Sequence, residues 1–386
     1  MFRCITEIEF QQKGAGRNLA FSFDFVHEFE ATNTWVDLTN QCKITFPKNV
    51  YVKSKTGELI SLGGTNPNVQ VNSLFHRGDY LTVSMGYYRY DKQGNETKEI
   101  STVFEGYISK VTSKKPIVLE CEDNMWLLKQ IPCAPKSLKA SESLEDYLKQ
   151  QLQGTNLTVN QTTKTSVGAL LIQNETVAQL LARLRKDFHL EAYFRGSELR
   201  IGSRVYLDED TNGKTVWNFI FQQNIISDEL EFKRKDDVKL SAVCNSINTK
   251  YEGTNKKGKT KTKSERLSVL VYPDAKGNFQ YIEKKEGVDF PANEEGERRT
   301  LFFPNVTTAK ELYDLGMAEL NKYYYTGFRG KFTTFGIPYV NVGDNVYIKD
   351  NLMPDRNGKY KVRGVKYSGG INGHRQEIML DYKLIS

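Results

Sequence analysis

Gly78-Asp79-Tyr80-Leu81-Thr82-Val83 opens one run of alternating sequence, and Gly343-Asp344-Asn345-Val346-Tyr347-Ile348 opens another near the far end of the chain. Each is a Gly-Asp pair followed by apolar residues two apart, the period of a strand with one buried face. The dipeptide alone is a weak signal, since chance supplies about as many in a chain of this composition. The residues downstream of each pair strengthen it. After the first pair come a polar loop with Gly94-Asn95, then Val103-Phe104-Glu105-Gly106-Tyr107-Ile108-Ser109-Lys110-Val111, then Ile117-Val118-Leu119-Glu120-Cys121-Glu122-Asp123. After the second come Asn357-Gly358, then Tyr360-Lys361-Val362-Arg363-Gly364-Val365-Lys366-Tyr367, then Asn372-Gly373 and Gln376-Glu377-Ile378-Met379-Leu380-Asp381. Both copies run turn, strand, loop, strand with an internal glycine, turn, strand ending in an acid. Gly106 and Gly364 suit the bend or bulge of a small closed barrel. The chain therefore reads as two related small β-barrels, one at each end; two unrelated antiparallel sheets with similar turns are the alternative.

Working outward, the rest is mainly β. Aromatic residues make up 12% of the chain, much of it in alternating runs. Ala20 to Phe29 reads A-F-S-F-D-F-V-H-E-F and places Phe21, Phe23 and Phe25 on one face. Further turn signals stand at Asn212-Gly213 and Gly277-Asn278. Three segments have helical period instead: residues 141–153, 175–189 and 307–324. Ser141 or Ser143 is a plausible N-cap for the first, with acids in its first turn and Gly154 as a stop. The predicted organisation is a first β-barrel over 1–123 and an α/β insertion over 124–205. A discontinuous second barrel takes 206–255 and 326–386, with an inserted region over 256–325 that carries a basic loop and a helix.

The 386 residues suffice for roughly two or three domains. With 39% apolar and 26% charged residues the chain is too apolar to be disordered. Its longest apolar runs, 167–172 and 217–221, fall far short of the ~20 residues that span a bilayer, so no stable membrane insertion is expected. The start, Met1-Phe2-Arg3-Cys4-Ile5-Thr6-Glu7, has no apolar core of signal-peptide length. The net charge of +7 permits an acidic partner without demanding nucleic acid. Five cysteines at 4, 42, 121, 133 and 244 show no CxxC spacing and read as buried or free thiols in a reducing cytosol.

Reactive chemistry is hard to place. Walker A, HExxH and GxSxG patterns are missing from the sequence. His27, His76, His189 and His374 stand far apart, with no His or Cys at metal-ligand spacing. The acids Glu142, Glu145 and Asp146 suit a helix N-terminus, and Asp208-Glu209-Asp210 leads into a turn. No catalytic, cofactor-binding or metal residue is assigned, and no cofactor is expected. The sharpest charge feature is Lys256, Lys257, Lys259, Lys261 and Lys263. It reads either as a contact to an anionic partner or as a solvated hairpin. Aromatics that would stack bases are not interleaved with it.

Two barrels per chain have a consequence for symmetry. A cyclic trimer presents six barrel positions, and so matches a sixfold partner on one side and a threefold one on the other.

The same strands carry a resemblance. Thr102 to Val111 with Leu119-Glu120-Cys121-Glu122-Asp123-Asn124-Met125-Trp126-Leu127-Leu128-Lys129 looks like the first barrel of phage tail baseplate hubs. Gly343-Asp344 through Pro354-Asp355-Arg356-Asn357-Gly358 to Val365 looks like the last barrel, and Ile44-Thr45-Phe46-Pro47 resembles an early strand. Late-control-protein-D tail proteins and the hub part of type VI secretion spikes belong to this group. The resemblance implies a structural virion protein of the phage tail, assembled in the bacterial cytoplasm. It implies a homotrimeric ring seating a hexameric tail tube above and a central spike or tip below, with DNA passing through the lumen without specific binding. Two readings from other classes stand beside it. One is a β-rich hydrolase of cell-wall or capsule glycans; the other is a carbohydrate- or receptor-binding module at a tail tip.

Overall fold

The computed structural model describes the chain outside residues 1, 48–50, 54–58, 62–73, 113–115, 140–141, 162–169, 189, 204–215, 238–239, 255–259, 275–276, 293–295, 304–305 and 385–386. As expected, the fold is mainly β. Its centre, among the described residues, is one sheet of 13 strands. Twelve of them form two sets of six. The first set is β1 (Phe2–Gln11), β2 (Glu28–Thr34), β3 (Gln41–Thr45), β4 (Tyr80–Tyr90), β5 (Glu96–Val111) and β6 (Val118–Glu122). The second is β7 (Val216–Ile220), β8 (Ile225–Lys233), β9 (Gly327–Phe335), β10 (Asn345–Lys349), β11 (Gly358–Gly370) and β12 (Arg375–Lys383). In space the first set runs β1-β4-β5-β6-β3-β2 and the second β7-β10-β11-β12-β9-β8. Strand for strand this is one order used twice. The sets differ in one pairing: β1 lies antiparallel to β4, whereas β7 lies parallel to β10.

The two modules expected from sequence are thus halves of a single sheet. Strand β2 of the first half pairs antiparallel with β11 of the second, and one apolar core runs through both. Ile8, Ile44, Val83, Ile108 and Leu119 meet it from the first half, and Val346, Ile348, Val365 and Ile378 from the second. The strand Ala20–Phe23 adds to the outer edge of β1. There Phe21 and Phe23 pack with Phe10, but the strand ends at Phe23 and leaves Phe25 exposed. The shared face expected for Phe21, Phe23 and Phe25 therefore stops one aromatic short.

A separate core marks the α/β unit, built from α1 (Met125–Leu128), α2 (Leu144–Gln151) and α3 (Val177–Phe188) over small sheets. Leu144, Tyr147 and Leu148 of α2 are buried, as their spacing demands. Ser143 is the N-cap, its hydroxyl accepting the Asp146 amide at 3.1 Å. Ser143→Ala is expected to cost about 1 kcal/mol, read as a lower midpoint in urea unfolding. A change within error would assign this helix's stability to packing alone.

The inserted region starts earlier than expected. By its position in the sequence, the strand Leu240–Thr254 belongs to the second barrel. It pairs instead with Thr260–Pro273 and with Glu297–Phe302, in a four-stranded sheet covered by α4 (Ala309–Tyr323). The cause is the long hairpin itself, which keeps the alternation of Ala242, Cys244, Val269 and Val271 facing Leu312 and Leu320 of α4 in a core of its own. Gly316 of that helix is what lets it sit so close, since a Cβ there would lie 2.4 Å from Cys244 Sγ.

Candidate functional site

The paired Gly-Asp turns are built alike to the atom. Gly78 (φ +92°) donates its N–H to Ile108 O at 2.8 Å, and Gly343 (φ +80°) donates to Val362 O at 3.0 Å. Positive φ at these positions is what selects glycine. In return Ile108 N–H donates to Asp79 O at 2.9 Å, and Val362 N–H to Asp344 O at 3.0 Å. Each carboxylate then caps its own turn: Asp79 Oδ2 accepts from His76 N and Asp344 Oδ2 from Asn341 N, both at 2.8 Å. Beyond this the two aspartates diverge. Asp79 also takes the Lys13 amide and both terminal nitrogens of Arg17, at 2.8 and 2.9 Å. Asp344 has the Trp217 indole at 3.3 Å and Arg195 at 3.7 Å.

One residue beyond Ile108 and Val362, the strand residues bonded to the turns, lies a bulge, at Ser109 in β5 and at Arg363 in β11, where the register to β6 and β12 slips by one. The internal glycines are not the bulged residues. Gly106 falls two residues before Ile108, whereas Gly364 falls two after Val362, so they are not counterparts. Gly106 lies where a Cβ would come within 2.1 Å of Glu122 O. Gly364 faces Thr34 across the seam between the halves, where a Cβ would lie 3.0 Å from the Thr34 side chain.

That seam is the site the fold singles out. From Gly364↔Thr34 to Gly370↔Glu28 it pairs seven residues of β11 with β2. Gly369 permits it, since a Cβ there would lie 2.3 Å from the Phe29 ring. Lys366 reaches Glu30 at 2.8 Å on the outer face. Side chains latch the halves around it. Tyr339 OH, from the second half, donates to Thr102 O at 2.8 Å, beside the first half's own Asn33 Nδ2 bond to Val103 O at 3.0 Å. The Gly336 amide donates to Tyr87 OH at 3.1 Å, and His374 Nε2 shares a 3.0 Å hydrogen bond with Thr6 Oγ1. Gln376 pins the loop between β9 and β10, donating to Phe335 O and Pro338 O and accepting from Val340 N at 2.9 Å. None of Gln376, His374 or Gly369 carried a signal in the sequence, because a lone polar residue in a strand gives no hint of what lies opposite.

Where the α/β unit meets the seam there is a cavity of about 220 Å³, lined in part by Asn40, Glu105, Asp123, Arg195 and Tyr339. Its carboxylates are already engaged. Asp123 accepts the amides of Asn40 at 3.1 Å and Met125 at 3.0 Å, and so ties β3 to the start of α1. Burial pushes its carboxyl up to about 7, against those two amides. Glu105 takes the Tyr80 hydroxyl at 2.9 Å, and burial next to it raises that phenol. Of the helix acids, Glu142 accepts the Lys139 amide at 2.7 Å and Glu145 meets Lys149 at 2.6 Å. Asp208, Glu209 and Asp210 lie outside the described residues.

His27 and His76 are exposed, His374 is buried and His189 lies outside the described residues. Among the described residues no three His, Cys, Asp or Glu side chains gather as a metal cluster. Cys42, Cys121, Cys133 and Cys244 are buried and Cys4 is exposed. Lys256, Lys257 and Lys259 lie outside the described residues, while Lys261 and Lys263 fall in the strand Thr260–Pro273, opposite Gly253 and Lys250. No described helix is long and apolar enough to cross a membrane.

No family model matches the chain, and no curated protein sequence matches it. Solved structures do. A tail protein from Neisseria meningitidis MC58 superposes with a TM-score of 0.54 at 11% identity, covering 98% of this chain and 96% of that one. The 43 kDa tail protein of prophage MuSo2 from Shewanella oneidensis gives 0.54 at 13% identity, covering 98% of each chain. The chain has the fold of these tail proteins along nearly its whole length.

Proposed function

We propose that this chain is a structural subunit of a phage-type tail, and that three copies close into a ring at the baseplate hub. The observation that carries it is the duplicated strand order with its head-to-tail seam. Two like halves joined by unlike edges make a heterologous junction. Such a junction repeats until it closes on itself or runs on as a filament. Six half-subunits closing around one axis present near-sixfold symmetry to a hexameric tail tube, while the inserted α/β and four-stranded units keep the threefold symmetry suited to a central spike or tip. No catalytic group is invoked, in keeping with acids in the cavity that are spent on amide and hydroxyl donors. The fold likeness to two tail proteins supports a place in the virion.

Each contact in such a ring should bury on the order of 2,000 Å² or more, as in obligate assemblies. DNA in transit requires a bore that does not grip phosphates, so the lumen is expected to be neutral or acidic at its narrowest point, with the lysines of 256–263 elsewhere. Cryo-electron microscopy of the assembled particle tests both. The expected result is a subunit count divisible by three, six β modules around the bore, and those lysines off the bore wall. A count not divisible by three overturns the ring, and lysines lining the bore overturn the lumen reading.

A further inference from the structure

We infer that the outer edge of β8 takes up the β5 hairpin of a second copy of this chain, in the register that β2 and β11 already use within one chain. This rests on the three-copy ring proposed above and specifies its contact strand by strand.

The halves correspond residue by residue. Ile108 and Val362 close the two Gly-Asp turns, and the bulges follow at Ser109 and Arg363. Lys110, Val111 and Thr112 therefore stand where Gly364, Val365 and Lys366 stand in the other half. Val111 lies opposite Leu119, and Val365 opposite Ile378. Following these pairs outward, Leu119 faces Ile44 and Ile44 faces Phe29, while Ile378 faces Phe332 and Phe332 faces Asp228. Phe29 thus corresponds to Asp228, and Thr32, Asn33 and Thr34 to Glu231, Phe232 and Lys233.

Within the chain, Thr32, Asn33 and Thr34 pair with Lys366, Val365 and Gly364. Among the described residues their counterparts have no such pairing: β8 is the terminal strand of the sheet, and β5 beyond Ile108 pairs with β6 on one side only. The two edges cannot meet in one molecule, because they lie seven strands apart along the sheet. A second copy places Glu231 opposite Thr112, Phe232 opposite Val111 and Lys233 opposite Lys110. Antiparallel addition of this kind satisfies the backbone groups of an open edge.

Strand β8 exposes Asp228, Glu229 and Glu231, and β5 exposes Lys110 near its end. Lys110 and Lys233 carry their own counter-ions, Glu120 at 2.8 Å and Glu231 at 3.0 Å. Ile226, 44% exposed at the start of β8, is an apolar residue on this free edge. The edge is guarded in the single chain, where Asp228 Oδ1 accepts the outward Leu230 amide at 3.2 Å; docking replaces that bond with a ladder bond.

Disulfide trapping tests this in the full chain, with the exposed Cys4 changed to Ser. Chains carrying Lys110→Cys are mixed with chains carrying Lys233→Cys at the highest soluble concentration and oxidised. Both positions are exposed lysines in surface ion pairs, so the fold is expected to tolerate them. Directly opposed strand residues have Cβ atoms about 5 Å apart, within reach of a disulfide. The expected yield of linked dimer is roughly tenfold or more above that for Glu96→Cys mixed with Lys233→Cys, because aligned thiols react at a high effective concentration. One chain carrying both substitutions is expected to give covalent trimer as the largest product. Absence of the selective cross-link overturns the strand pairing, even if native mass spectrometry shows a trimer. A selective cross-link with products running past the trimer keeps the pairing and overturns the ring.

Discussion

Asp79→Ala is expected to destabilise the chain by about 3–5 kcal/mol, the usual loss when one partner of a buried ion pair is removed. The Asp79 side chain is 2% exposed and Arg17 18%, so the guanidinium left behind keeps only the Lys13 and Leu74 carbonyls as protein acceptors and little access to water. The carboxylate also holds the His76 and Lys13 amides, and their loss adds unsatisfied donors in the same turn. Asp79→Asn keeps one acceptor oxygen and should fall between the variant and the parent. Asp344→Ala is the internal control. Its turn has the same geometry, but Arg195 stands off at 3.7 Å, so the expected cost is only about 1–3 kcal/mol. Urea unfolding of the three variants ranks them. Equal losses at the two aspartates, or a larger one at Asp344, would show that the turn rather than the ion pair sets the energy.

The two aspartates also mark how far the sequence discloses the fold. The Gly-Asp turns were readable because positive φ and a capping carboxylate demand particular residue types. The helices α2, α3 and α4 were readable because a buried face at 3.6-residue period needs apolar side chains in fixed places. The bulges at Ser109 and Arg363 were not, because a bulge places few demands on the residue that occupies it. Gly106 and Gly364 were misleading for another reason: each answers to a close neighbour across a strand pair, Glu122 on the next strand for Gly106 and Thr34 from the far half for Gly364, which the local sequence does not show. The seam between β2 and β11 was invisible as well. Ladder hydrogen bonds use backbone groups that almost every residue has, so a strand edge does not announce its partner. Leu240–Thr254 misleads on the same grounds, since alternation tells which face is buried but not which core it joins.

The seam also predicts a response to acid. His374 follows the turn between β11 and β12, and its ring sits against Tyr87 and Phe29 with Thr6 at 3.0 Å, all three from the first half. It is 1% exposed, and burial, helped by the Arg375 charge, lowers its pKa from 6.5 to about 4. The unfolded chain therefore binds a proton below pH 6.5 that the folded chain refuses until about pH 4. Stability attributable to this residue is complete above pH 6.5, declines through that window and levels off below it. The total is about 3 kcal/mol at most, at roughly 1.4 kcal/mol per unit. His374→Gln removes the titration. The stability of the parent minus that of the variant is expected to fall by up to that amount between pH 7 and pH 4, while carboxylates such as Asp123 titrate in both and cancel. Urea unfolding at successive pH values measures the difference, and a pH-independent difference would remove His374 from the account. Because the imidazole bridges the two halves, its protonation acts where β11 meets β2. Acid is therefore expected to loosen the seam before it reaches the separate cores of the α/β and four-stranded units.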